Sequence, residues 1–237
     1  MSATPDDPED ILSLAIVPPP PPDTSETPTP TRPTRIVPRS TVRDTWGWMW
    51  KDTVMRCVPF ALAAALYARL SGQGAQAIGV TRHGWRRDLA LGAVLGIPMA
   101  AIAAAFRAWV APHYRLPTAA DQATQSVFYF AVNAPAEELF WRGTVQTLAI
   151  SGLRHIPGLR RGAPFWGWAL ITAIVGVYHR LGNWSWRAIA GVTVAGGFFG
   201  GLYLLPRKRQ SILLPTIVHA FATAGFLSWG DALLHLL

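Results

Sequence analysis

Two adjacent glutamates, Glu137 and Glu138, stand in the stretch APAEELFWRG, and Arg142 follows the second by four residues. The surroundings are apolar, with SVFYFAVNAP running into the stretch and GTVQTLAIS running out of it. A carboxylate placed deep in a bilayer costs about 2.5–3.5 kcal/mol on insertion scales, so two side by side need a reason. On a helix, Glu138 and Arg142 share a face and can pair. Glu137 lies about 100° further round; it must find a partner elsewhere or be protonated. Two histidines are isolated in the same way: His179 closes the segment ITAIVGVYHR, and His219 lies within LLPTIVHAFATAGF. Either alone reads as an ordinary packed or surface histidine. Glu137, His179 and His219 together are ionisable groups on separate apolar segments, and a bundle satisfies such groups by gathering them around water or a metal. Ionisable residues inside a membrane default to a functional reading on this ground.

The elements that would have to position these side chains are helical. Apolar segments occupy residues 46–70, 88–110, 120–150, 163–178, 187–205 and 211 to about 233, with no strand-like alternation. Several approach the roughly 20 residues that cross a bilayer. The expected fold is all-α: a polytopic transmembrane bundle of about 5–7 helices over residues 46–237, preceded by a disordered, Pro-rich tail over residues 1–45. The tail has an acidic start and only a short apolar run, which is unlike a signal peptide, and it holds too little apolar material to bury. Its DILSLAIV stretch is a possible docking peptide for a partner. The clean apolar part of the first segment, residues 57–68, is short for a crossing. Trp46, Trp48 and Trp50 before it resemble an interfacial belt, so this segment reads as an interfacial lead-in to a first membrane helix. Gly191, Gly196, Gly197, Gly200 and Gly201 match the small-residue faces that let membrane helices approach closely.

The formal net charge of +8 fits basic loops of a membrane protein rather than nucleic-acid binding, because no basic stretch carries a nucleic-acid motif. Arg82, Arg86 and Arg87 fall in one loop, Arg154, Arg160 and Arg161 in another, and Arg207, Lys208 and Arg209 in a third; the region of Arg115 is poorer. The positive-inside rule places the basic set in the cytoplasm. The single cysteine, Cys57, excludes an internal disulfide and a cysteine metal cluster.

EELFWRG reads as E-E-x-x-x-R on one helix; a second helix ends in His179, and a third carries His219 after a Gly-rich helix and a short basic loop, GGFFGGLYLLPRKRQSILLPTIVHAF. In order and spacing this resembles the CPBP family, the intramembrane proteases related to the CAAX prenyl proteases of the Ras-converting type, over roughly residues 120–230. The family pattern has an aromatic residue where this chain has Val175, and Asn or Asp where it has Thr223. The resemblance implies that Glu137 is the carboxylate that activates water, helped by His179, and that Glu138 and Arg142 order the site. It implies that His219, with Thr223 behind it, stabilises the oxyanion or orients the water. Peptide hydrolysis needs a base and donors aimed at the developing oxyanion, and these residue types supply both. The expected mechanism uses no cofactor. The alternative is zinc held by Glu137, His179 and His219, a common catalytic ligand set.

The resemblance implies an endopeptidase acting on a membrane-anchored protein or peptide, with the lipid bilayer as its surroundings; the short helix count, the Trp usage and the Ala/Arg-rich composition point to a bacterial inner membrane. A C-terminal sorting signal ending in an apolar helix and a basic cluster is one such substrate. The rival readings are an inactive CPBP-like scaffold or immunity protein and a membrane transporter.

Overall fold

The computed structural model describes residues 42–110, 118–181, 184–205 and 210–229, all within the unit Ser40–Leu237. The expectations for residues 1–41 of the tail, for Arg115 and for the basic cluster Arg207, Lys208 and Arg209 lie outside the described residues. No strand occurs among the described residues, and the helices form six runs along the chain.

The first run joins α1 (Val42–Asp52) through a π-helical turn (Thr53–Cys57) to α2 (Val58–Leu70). The second is α3 (Trp85–Val110). The third joins α4 (Ala119–Phe128), a π turn (Tyr129–Asn133), α5 (Ala134–Glu138), a longer π stretch (Leu139–Gln146) and α6 (Thr147–Leu153). After these come α7 (Ala163–Arg180), α8 (Trp186–Tyr203) and α9 (Leu213–Leu227).

The local chemistry explains where the runs start. Thr118 accepts a hydrogen bond from the Asp121 backbone N–H at 3.2 Å, while the Asp121 carboxylate accepts the Thr118 N–H at 3.2 Å, which closes a capping box on α4. Asp121 also accepts the Thr45 hydroxyl at 2.6 Å, tying the start of the first run to α4. Ser185 caps α8 through the Ala188 N–H, and a proline opens α7 in the first turn, where its missing N–H costs nothing.

Glycines set the closest helix approaches. A methyl group at Gly96 of α3 would come within 2.3 Å of the Phe221 ring of α9, and one at Gly225 of α9 within 2.3 Å of the Ala100 carbonyl oxygen. Between α7 and α8, Gly176 leaves room for the Thr193 hydroxyl. In the Gly-rich α8, Gly191, Gly196, Gly197 and Gly200 all have neighbours within van der Waals range, but nothing lies within 4 Å of a methyl placed at Gly201. The close-packing reading therefore holds for four of these five glycines and is corrected at Gly201, where no neighbouring helix comes within reach.

Two helices among the described residues are long and apolar enough to cross a membrane, Thr45–Leu70 and Trp85–Val110, each 26 residues. The first takes the segment of Trp46, Trp48 and Trp50 and the apolar residues 57–68 into one helical run. The π turn carries the helix through Asp52 and Arg56 without a break, so both charged residues lie within the run. Both helices turn large apolar side chains outward, with Met55 78 %, Leu62 64 % and Val94 65 % exposed.

Candidate active site

Each of the three π-helical stretches delivers one polar side chain to a single network: Arg56, Asn133 and Arg142. A π turn inserts a residue into the α ladder and shifts what faces inward, and such turns recur at functional sites.

Glu138 is the most deeply set member, 1 % exposed. Its Oε1 lies 2.8 Å from His219 Nδ1. An ionised carboxylate only accepts, so Nδ1–H is the donor and fixes the ring with Nε2 on its far side. Arg142 Nε stands 3.5 Å from Glu138 Oε2, and Arg142 Nη2 donates to the Gly196 carbonyl of α8 at 2.8 Å. A methyl at Gly196 would stand 3.3 Å from Val175 and 3.6 Å from Arg142 Nη2, so α8 packs closely against α7 at this point. The His219 ring lies flat against Phe199, centroids 4.7 Å apart and planes 17° from parallel.

Glu137 faces the other way and finds its partner on the first helical run. Arg56 Nη1 donates to Glu137 Oε1. The same guanidinium forks onto Asp52, with Nε to Oδ1 and Nη2 to Oδ2 both at 2.8 Å. Asn133 Nδ2 lies 3.3 Å from Asp52 Oδ2 and 3.5 Å from Glu137 Oε1. Glu137 Oε2 is left 3.8 Å from His219 Nε2. That separation is too long for a hydrogen bond and short enough for one water molecule to bridge.

Glu137, Glu138, Arg142 and His219 are thus brought into one continuous set of contacts. His179 is placed differently. Its Nδ1 stands 2.8 Å from the Val175 carbonyl of its own helix, and its ring meets Tyr178 and Trp184 edge-on. Thr223 sits one turn beyond His219 on α9, half-buried. Val175 is buried against Trp141 and Ile171. The aromatic bulk beside it comes from Trp141 and Tyr178, 5.5 Å apart, and from Phe60 and Phe140, stacked at 4.2 Å. For a metal, the residues present do not fit: among the described residues, no three His, Cys, Asp or Glu side chains gather as a metal-binding group, and the Glu137–His219 pair has no third ligand in His179.

Sequence reasoning missed Asp52, Arg56 and Asn133. The signal was there for the first two, since Asp52 and Arg56 repeat the i, i+4 acid–arginine spacing of Glu138 and Arg142. The lead-in reading of residues 46–56 placed them at an interface, where such a pair needs no explanation. Asn133 carried no distinguishing pattern.

Residues 119–225 match the family model described as type II CAAX prenyl endopeptidase Rce1-like. The matched segment includes Glu137, Glu138, Arg142, His179, His219 and Thr223, and excludes Asp52 and Arg56. No curated protein matches the chain, and no solved structure does.

Proposed function

We propose, from the premise that residues 119–225 carry a domain of the Rce1-like CAAX endopeptidase family, that this chain is a multi-pass intramembrane endopeptidase in which Glu137 and His219 share the attacking water. The observation that carries the reading is the 3.8 Å approach of Glu137 Oε2 to His219 Nε2. With Nδ1–H committed to Glu138, the neutral His219 ring presents a lone pair at Nε2. A water between the two acceptors donates one proton to each and keeps its own lone pairs for the scissile carbonyl carbon. As the C–O bond forms, Glu137 takes a proton from the water. It returns that proton to the leaving amine as the C–N bond breaks, so the protons balance with no other reactant. Glu138 and Arg142 hold His219 in the tautomer and orientation this requires. The Thr223 hydroxyl, next along the helix from His219, is the proposed oxyanion donor. His179 is given no step.

The membrane reading is supported by the outward-facing apolar side chains of Thr45–Leu70 and Trp85–Val110, since a water-soluble surface rarely carries so continuous an apolar face. The proposed substrate is a membrane-anchored protein trimmed near its apolar C-terminus, of the kind a bacterial sorting signal presents. The test compares the membrane proteins of cells with the wild-type chain, with none and with Glu137→Gln. One or more apolar C-termini should be trimmed only by the wild type. Trimming by Glu137→Gln at the wild-type rate would refute the assignment. Loss of activity on chelation, restored by zinc, would replace it with the metal reading.

A further inference from the structure

Arg56 is the feature of the site that neither the family match nor the sequence pattern assigns. It lies on the first helical run, outside residues 119–225. Its guanidinium bonds two carboxylates at once, Asp52 from its own run and Glu137 from α5. The side chain is 23 % exposed and that of Glu137 is 9 % exposed, so the pair is largely shielded from solvent.

The geometry points to Arg56 as the residue that fixes the Glu137 carboxylate in its working orientation, a positioning role that rests on the hydrolytic reading above. Asp52 holds the guanidinium fork by two parallel bonds, one turn back on the same helix. The fork is planar and rigid, so fixing two of its edges aims the third, Nη1, at Glu137. Only Oε1 of Glu137 is taken. The terminal torsion of a glutamate is otherwise broad, and anchoring one oxygen directs the other, Oε2, at His219. Asn133 bonds both Asp52 and Glu137 and locks the two acids to a common partner. The set Asp52, Glu137, Glu138, Arg56 and Arg142 contains three carboxylates and two guanidiniums. Arg56 is therefore the cation that faces Glu137, and it bonds Oε1 without covering the oxygen that meets the water.

A plainer view is that Arg56 only neutralises Asp52 within an apolar helix. Two measurements on the full chain in phosphatidylcholine–phosphatidylglycerol vesicles separate the readings. The first is a thermal-unfolding cycle over Arg56→Met and Glu137→Gln, which needs no substrate. If Arg56 holds Glu137, Glu137→Gln lowers the Tm in the wild-type background. In the Arg56→Met background it raises the Tm, because there it removes a carboxylate that has lost its cation. Equal shifts in both backgrounds would overturn the proposal. The second is cleavage of a quenched fluorescent peptide with an apolar C-terminal segment. Arg56→Met should lower kcat by about 100-fold with little change in KM, the scale expected when a reacting group is misplaced by about 1 Å. Arg56→Lys should restore part of that loss, because it returns the charge but not the fork, and Asp52→Asn should fall between. An unchanged kcat in Arg56→Met, with Glu137→Gln inactive, would overturn the positioning role and leave the proposed function standing. Wild-type cleavage by Glu137→Gln would sink the proposed function, and the unfolding cycle would still decide whether Arg56 holds Glu137.

Discussion

Glu137 and Glu138 are neighbours in sequence, but their removal should have unequal consequences. In Glu138→Gln, the amide keeps the length of the side chain and can still accept His219 Nδ1–H. The charge facing Arg142 is lost, and Arg142 is only 3 % exposed. Its Nε and Nη1 already lack a hydrogen-bond partner among the described residues, so Glu138 is the main compensation for its charge. Removing one partner of such a buried pair costs about 3–5 kcal/mol. At about 2–4 °C per kcal/mol for a domain of this size, Glu138→Gln should lower the Tm by about 6–20 °C. In Glu137→Gln, Arg56 keeps both bonds to Asp52 and loses one charge-assisted bond, worth about 1.5 kcal/mol at this partial exposure. The corresponding fall in Tm is about 3–6 °C. Unfolding of the vesicle-reconstituted protein is followed by tryptophan fluorescence, for which the chain has 11 tryptophans. Steady-state abundance in membranes should show the same order. Both variants should lose cleavage: Glu137→Gln as a folded inactive protein, Glu138→Gln with loss of stability as well. If Glu137→Gln proved the more destabilising of the two, the division into a reacting carboxylate and an orienting one would be refuted.

Other substitutions probe separate parts of the argument. Thr223→Val should reduce cleavage by up to about 100–1000-fold with little change in Tm if its hydroxyl serves the oxyanion, while Thr223→Asn should keep activity; equal rates in Thr223→Val and wild type would remove this residue from the mechanism. His219→Ala should abolish cleavage, whereas His179→Ala should retain most of it, as kcat measurements on the two variants would show. Gly225→Ala should lower the Tm sharply because the new methyl meets the Ala100 carbonyl, while Gly201→Ala, with nothing within 4 Å, should leave it unchanged or slightly raised. Deletion of residues 2–40 should leave turnover of a saturating peptide substrate intact, and a large fall in kcat would show that the tail takes part in the reaction.

The sequence by itself determined the parts of this protein that depend on local pattern. Apolar runs with few polar interruptions and no strand-like alternation specify helices, and the structure has helices throughout the described chain. The i, i+4 spacing of Glu138 and Arg142 specified a pair on one face, and the pair forms at 3.5 Å even though a π stretch begins between the two residues. Glu137, with no neighbour on its own helix to neutralise it, had either to find a partner elsewhere or to be protonated. Which partner it finds was a matter of tertiary structure. Arg56 lies 81 residues away, and no local rule connects the two; only the packing of the first run beside α5 does. The same holds for the histidines. His179 and His219 look equally isolated in sequence, but α9 carries its ring between Glu137 and Glu138, while α7 keeps His179 on its own Val175 carbonyl. Helical period fixes which side of a helix a residue occupies. The crossings of the helices, set by glycines such as Gly96 and Gly225, and the π turns that shift the inward face decide which of those sides meet.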